Sequence, residues 1–188
     1  KEAIRKNPFR TTSGLVLSGA LALGLAGACT AMAQTGPARV TEQYKAWTVT
    51  CATQAAATEG AAPTRACAME QAAKDQQSGG AVLRFIVASG QAGADPVATI
   101  IGPFGVDLAQ GLGIVVDGTP VETVPFKTCL QVGCIGYLTL DAQHLDILRG
   151  GAGLTVVIKP SDNPEKEMAL PISLAGFADA FARTMAAQ

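Results

Sequence analysis

Four cysteines, Cys51, Cys67, Cys129 and Cys134, stand beyond an apolar leader that carries the fifth, Cys29, and this division constrains the chain more than any other feature. An even count in a chain led out of the cytoplasm predicts two disulfides, hence a small body stapled across its own strands. The leader opens on Lys1, Arg5, Lys6 and Arg10, continues through an apolar run from Leu15 to Ala28, and closes on Ala31-Met32-Ala33. That layout predicts a signal peptide over residues 1–33. Leu25-Ala26-Gly27-Ala28-Cys29 is loosely similar to a lipoprotein processing site, with Ala26 where leucine usually stands, so cleavage after Ala33 is the expectation. No later stretch approaches the roughly 20 apolar residues that a membrane-spanning helix needs.

The expected layout is a signal peptide over 1–33, a flexible N-terminal tail over 34–43, and one disulfide-stapled β-rich domain over 44–188. The tail assignment rests on Gln34 to Gln43, which shows Gly36-Pro37 and no sustained apolar period. Losing the leader removes four basic residues and one acid, which moves the formal balance from −1 to −4. A mildly acidic surface without clustered Lys or Arg is a poor match to a phosphate backbone, so nucleic acid is excluded as a partner.

Short apolar runs bounded by turn residues predict strands. Trp47, Val49 and Cys51 alternate with Thr48 and Thr50, and Cys67 and Met69 repeat the pattern after a loop over Ala52 to Thr64. Further strands are expected at 81–88, 96–101, 135–140, 154–159 and 168–172. Asp117-Gly118 between apolar runs predicts a hairpin, with Pro120 on an edge strand because it cannot donate to a ladder. Asp141 should cap a short helix near 141–149 that Gly150-Gly151 ends. Ser173 should cap a helix near 174–186, with Asp179 and Arg183 paired at i, i+4. The fold class is mainly β, an antiparallel β-sandwich or partly open barrel. Each cysteine pair flanks a segment able to turn back between adjacent strands, which favours Cys51 with Cys67 and Cys129 with Cys134.

Catalytic chemistry has little to build on. His144 is the single histidine, near Asp141 and Asp146, and a Ser-His-Asp or Cys-His site would need it; a solvated or capping role is the simpler reading. No Gly-x-Ser-x-Gly elbow occurs. Four residues separate Cys129 from Cys134, unlike the Cys-x-x-Cys at a helix N-terminus that lowers a thiol pKa. A zinc site lacks ligands, Gly111-Leu112-Gly113 lacks the third glycine of a dinucleotide loop, and Asp107 and Asp117 read as turn residues. No catalytic, cofactor or metal residues are therefore expected. The alternative is a periplasmic enzyme or a thiol-redox protein using Cys129 and Cys134.

Several blocks together resemble the invasion-associated locus B family of exported bacterial proteins. They are Trp47-Thr48-Val49-Thr50-Cys51, Cys67-Ala68-Met69, Gly102-Pro103-Phe104-Gly105-Val106, Gly113-Ile114-Val115-Val116-Asp117-Gly118, Cys129-Leu130-Gln131-Val132-Gly133-Cys134 and Leu170-Pro171-Ile172-Ser173-Leu174-Ala175-Gly176-Phe177. Phe104 departs from the Leu-Pro-Leu-Gly turn expected at that place. The resemblance implies a small β-rich protein of the periplasm or outer cell surface, linked in some members to host-cell invasion, with no catalytic residues to carry over. The expected function is a non-enzymatic binding or envelope-maintenance module whose partner is an envelope or host-surface component. Ala52 to Arg65 and Gly102 to Gln110 are the segments expected to carry recognition.

Overall fold

A computed structural model of the chain describes residues 38–54, 63–74, 80–88, 90, 93–163 and 165–186. The chain divides into two units, residues 1–34 and 35–188, and every described residue lies in the second. The signal-peptide expectation thus falls outside the described residues.

Strands β1 (Arg39–Tyr44), β2 (Trp47–Gln54), β3 (Thr64–Lys74), β4 (Ala81–Ala88), β5 (Val97–Gly102), β8 (Phe126–Leu130) and β9 (Gly133–Thr139) form one sheet in the order β1-β2-β3-β4-β5-β9-β8. A second sheet holds β6 (Leu112–Val116), β7 (Thr119–Val124), β10 (Gly153–Ile158) and β11 (Met168–Ser173) in the order β11-β10-β6-β7. All pairings are antiparallel, and both sheets are open, so the sandwich alternative of the expected fold class is the one realised. Helix α1 (Ala142–Gly150) and helix α2 (Phe177–Met185) complete the body.

Alternation places Val49, Met69, Phe85, Val87, Ile100 and Leu138 on the inner side of the large sheet. They meet Leu112, Ile114, Leu154, Val156 and Ile158 of the small sheet in one buried cluster. Trp47 closes that core beside α2, with its ring edge-on to Phe85 at 6.0 Å and to Phe177 at 5.4 Å. Its Nε1 donates to the Ser173 carbonyl at 2.9 Å, and Gln71 of β3 exchanges two further hydrogen bonds with the Ser173 backbone, each 2.8 Å. Backbone groups at the end of β11 are thereby satisfied by side chains of the opposite sheet.

Three expectations need correction. Residues 39–43 are not tail but most of β1, in which Val40, Glu42 and Tyr44 alternate inward and Arg183 of α2 reaches Glu42 at 2.6 Å. That ion pair replaces the anticipated Asp179 to Arg183 pair and lets a charged residue serve on the inner face. The loop expected over 52–64 is shorter, because β2 runs to Gln54 and β3 starts at Thr64; residues 55–62 lie outside the described set. Helix α2 starts at Phe177, capped by Gly176 at φ 88 rather than by Ser173. Leu174 is held back by its amide's bond to the Ala152 carbonyl, and a Cβ on Gly176 would overlap the Tyr44 carbonyl oxygen. Only glycine meets both the left-handed φ and that close approach.

The Asp117-Gly118 hairpin forms with φ 48 and 81, the two positive values a type I′ turn requires. The Asp117 carboxylate accepts from the amides of Ala152 and Gly153, at 3.0 and 2.9 Å, tying the turn to the entry of β10. The Ala152 amide, then that of Gly153, holds this carboxyl below its ordinary value of 3.8. A depressed acid adds stability that is complete above the unfolded-state pKa and is lost as pH falls through the folded value. The melting-temperature gap between the wild type and Asp117→Ala should therefore stay constant from neutral pH down to about 5 and narrow below about 4. A gap indifferent to acid would show that the carboxylate charge contributes nothing at this turn.

Candidate binding surface

His144 sits on the first turn of α1, and both ring nitrogens are already engaged. Nδ1 lies 2.8 Å from Asp141 Oδ1 and Nε2 lies 3.0 Å from Glu122 Oε2, on β7. Asp141 also caps α1 by accepting from the His144 amide at 2.8 Å; that amide is the main cause of its lowered pKa. Through these two carboxylates the ring ties α1 to β7. Asp107 spends its carboxylate on the Ala109 amide at 3.0 Å, as Asp117 does on its own neighbours. Among the described residues no group of three or more His, Cys, Asp or Glu could hold a metal ion.

The cysteines pair as the strand register dictates. Cys51 faces Cys67 across β2 and β3, and Cys129 faces Cys134 across β8 and β9, with Cα separations of 4.0 and 3.9 Å and sulfur atoms at disulfide distance. Cys51, Cys67 and Cys134 are buried, whereas Cys129 is exposed on the edge strand β8. Both pairs lie on strands, away from the helix N-termini that lower a thiol pKa.

What the fold does present is an open sheet face. One row of directly paired residues crosses it from Gln43 through Thr48, Glu70, Ile86 and Thr99 to Tyr137, which is half exposed. Small side chains beside this row, Thr50, Ala52, Ala66 and Ala68, leave a shallow basin of about 720 Å³ that Arg39 and Arg84 also line. Arg84 pairs with Glu70 at the centre of the face.

At one end of the same sheet the turn Leu130 to Gly133, which joins β8 to β9, meets the turn that follows β5. Gly102 is the register partner of Cys134, and Gly133 packs its backbone against Gly102 and Ile101. The two turns expose Leu130 at 56%, Val132 at 65% and Phe104 at 61%. Phe104 and Val132 line a recess of about 250 Å³ with Val82, Ile101 and Arg84, so this recess and the basin share Arg84.

Of the two segments expected to carry recognition, Gly102 to Gln110 supplies Phe104 and Leu108 to the surface. Most of the other lies outside the described residues. The β8–β9 turn is a third such segment, and its signal in the sequence is two apolar residues, Leu130 and Val132, inside a four-residue turn closed by cysteines.

Among the described residues no helix is long and apolar enough to cross a membrane. The invasion associated locus B (IalB) protein family profile matches residues 47–185. Invasion protein B homologs from Brucella abortus strain 2308 and Brucella abortus biovar 1 are each 32% identical over 151 residues, covering 80% of this chain and 82% of the relative. The crystal structure of invasion associated protein B from Bartonella henselae superposes with a TM-score of 0.63 at 25% identity, over 78% of this chain and 95% of that one. The blocks quoted from the sequence, the family profile and these relatives converge: the chain belongs to the invasion associated locus B family.

Proposed function

We propose that this chain is an exported, non-enzymatic binding module of the cell envelope, processed near Ala33 and oxidised at both cysteine pairs. It recognises an envelope or host-surface component through the open face of its large sheet. The observation that carries the reading is that face: a row of Thr, Gln, Ile and Tyr side chains crosses six strands without a covering layer among the described residues. An antiparallel sheet with one wet face is ordinary, but a basin built of small residues around a central ion pair gives a ligand both room and hydrogen-bonding groups. Support for export comes from the leader, the cysteine pairing and the family. The names of the relatives tie the family to invasion, and a host-surface ligand would fit the same face.

The experiment is adsorption of protein purified from the periplasmic extract onto isolated envelopes, comparing the wild type with Ile86→Asp/Thr99→Arg. These substitutions fill the middle of the open face and leave the inner face untouched. Binding should fall at least about tenfold at an unchanged melting temperature, a loss of roughly 1.4 kcal/mol. Equal adsorption of the two proteins, or recovery of the wild type only from the cytosol with free thiols, would sink the reading.

A further inference from the structure

We propose that the end of the large sheet bearing Phe104, Leu130 and Val132 docks on an anionic lipid bilayer surface. The inference deepens the envelope reading above and rests on it. Among the described residues, three of the six exposed large hydrophobic side chains stand where β5 and β8 end: Phe104 follows Gly102, Leu130 is the last residue of β8, and Val132 lies in the turn after it. Scattered exposed apolar residues are normal, whereas a cluster on adjoining turns marks an interaction site.

Shape selects the partner. The side chains stand exposed at one end of the sheet, and the recess that Phe104 and Val132 line, about 250 Å³, is below the range of ordinary small-molecule pockets. Exposed apolar groups beside a shallow recess suit a deformable surface they can enter. The tip is also pre-shaped: the Cys129–Cys134 pair closes its base, and Gly133 seats it on Gly102. Little ordering is then required on contact.

Charge selects the kind of bilayer. Lys74 is the register partner of Ala81, which lines the recess, and Lys127 lies on β8 ahead of Leu130; neither has an ion-pair partner among the described residues. Arg84, paired with Glu70, is the third cation here, and Asp107 is bound to its own turn. Two lysines with no ion-pair partner among the described residues, beside an apolar tip on a chain whose formal balance is acidic, complement anionic headgroups. Lys127, exposed on the edge strand β8, also opposes sheet-to-sheet pairing with a second copy.

The test is co-sedimentation of protein from the periplasmic extract with vesicles of phosphatidylcholine, alone or with phosphatidylglycerol. Binding to the mixed vesicles is expected, weakened at least about tenfold in Phe104→Ser/Val132→Ser and about fivefold in Lys127→Glu, with melting temperatures unchanged. Equal binding by the double variant, equal binding to neutral vesicles, or no vesicle binding would each overturn the proposal. If vesicle binding is absent while adsorption to isolated envelopes persists and still depends on Ile86 and Thr99, only the lipid inference fails. A stable dimer that the double variant abolishes, without vesicle binding, would assign the patch to a second copy.

Discussion

Trp47→Ala should cost about 3–5 kcal/mol, the range for removing a large aromatic side chain from a core that cannot collapse around the gap. For a domain of ordinary stability, about 5–15 kcal/mol, that leaves little or nothing. Three contacts set that cost. Trp47 is fully buried, holds Phe85 of the large sheet and Phe177 of α2 edge-on, and donates to the Ser173 carbonyl of β11. Removing it empties the place where two sheets and a helix meet. Trp47→Phe separates ring from donor: the Ser173 carbonyl still accepts from Gln71, so only about 1–2 kcal/mol should be lost. Urea unfolding midpoints for both variants decide it. A cost below about 1 kcal/mol for Trp47→Ala would mean that the core is not keyed at this ring.

The same residue shows what could be read in advance. Trp47 stood in an alternating run, as did Phe85 and Val87, and a two-residue period needs no knowledge of distant partners to be recognised. Asp117-Gly118 was equally legible, since few dipeptides accept positive φ twice. β1 was not: its inward set contains Glu42, which becomes tolerable on that face only because Arg183 arrives from α2 near the other end of the chain. Ser173 resembled an N-cap, yet its backbone was already committed to Trp47 and Gln71, and the helix waited for Gly176. For the binding surface, pairing of the cysteines followed from spacing. The apolar tip they enclose did not, because Leu130 and Val132 look in sequence like the interior residues of a strand. Exposure is decided by the turn, and the turn by glycine.

Gly133→Ala should therefore be the most damaging single-methyl change at the tip. Gly133 has φ 133, a conformation that residues with a Cβ rarely adopt, and strain of this kind costs about 1–3 kcal/mol. A Cβ here would also overlap the Gly102 carbonyl oxygen and reach 3.0 Å from Ile101 Cγ2, adding about 1–3 kcal/mol for overpacking against backbone. Relief requires the β8–β9 turn to lift away from Gly102, while Trp47 and the inner faces of both sheets remain as they were. The expected result is a loss of about 2–6 kcal/mol together with weaker vesicle binding, since Val132 moves off the recess it shares with Phe104. Gly105→Ala is the control: its φ of 74 carries the backbone penalty, but a Cβ there meets nothing within 4 Å, so its cost should stay near 1 kcal/mol. Were the two variants equally stable, the close approach of the tip to Gly102 would not be what positions Val132.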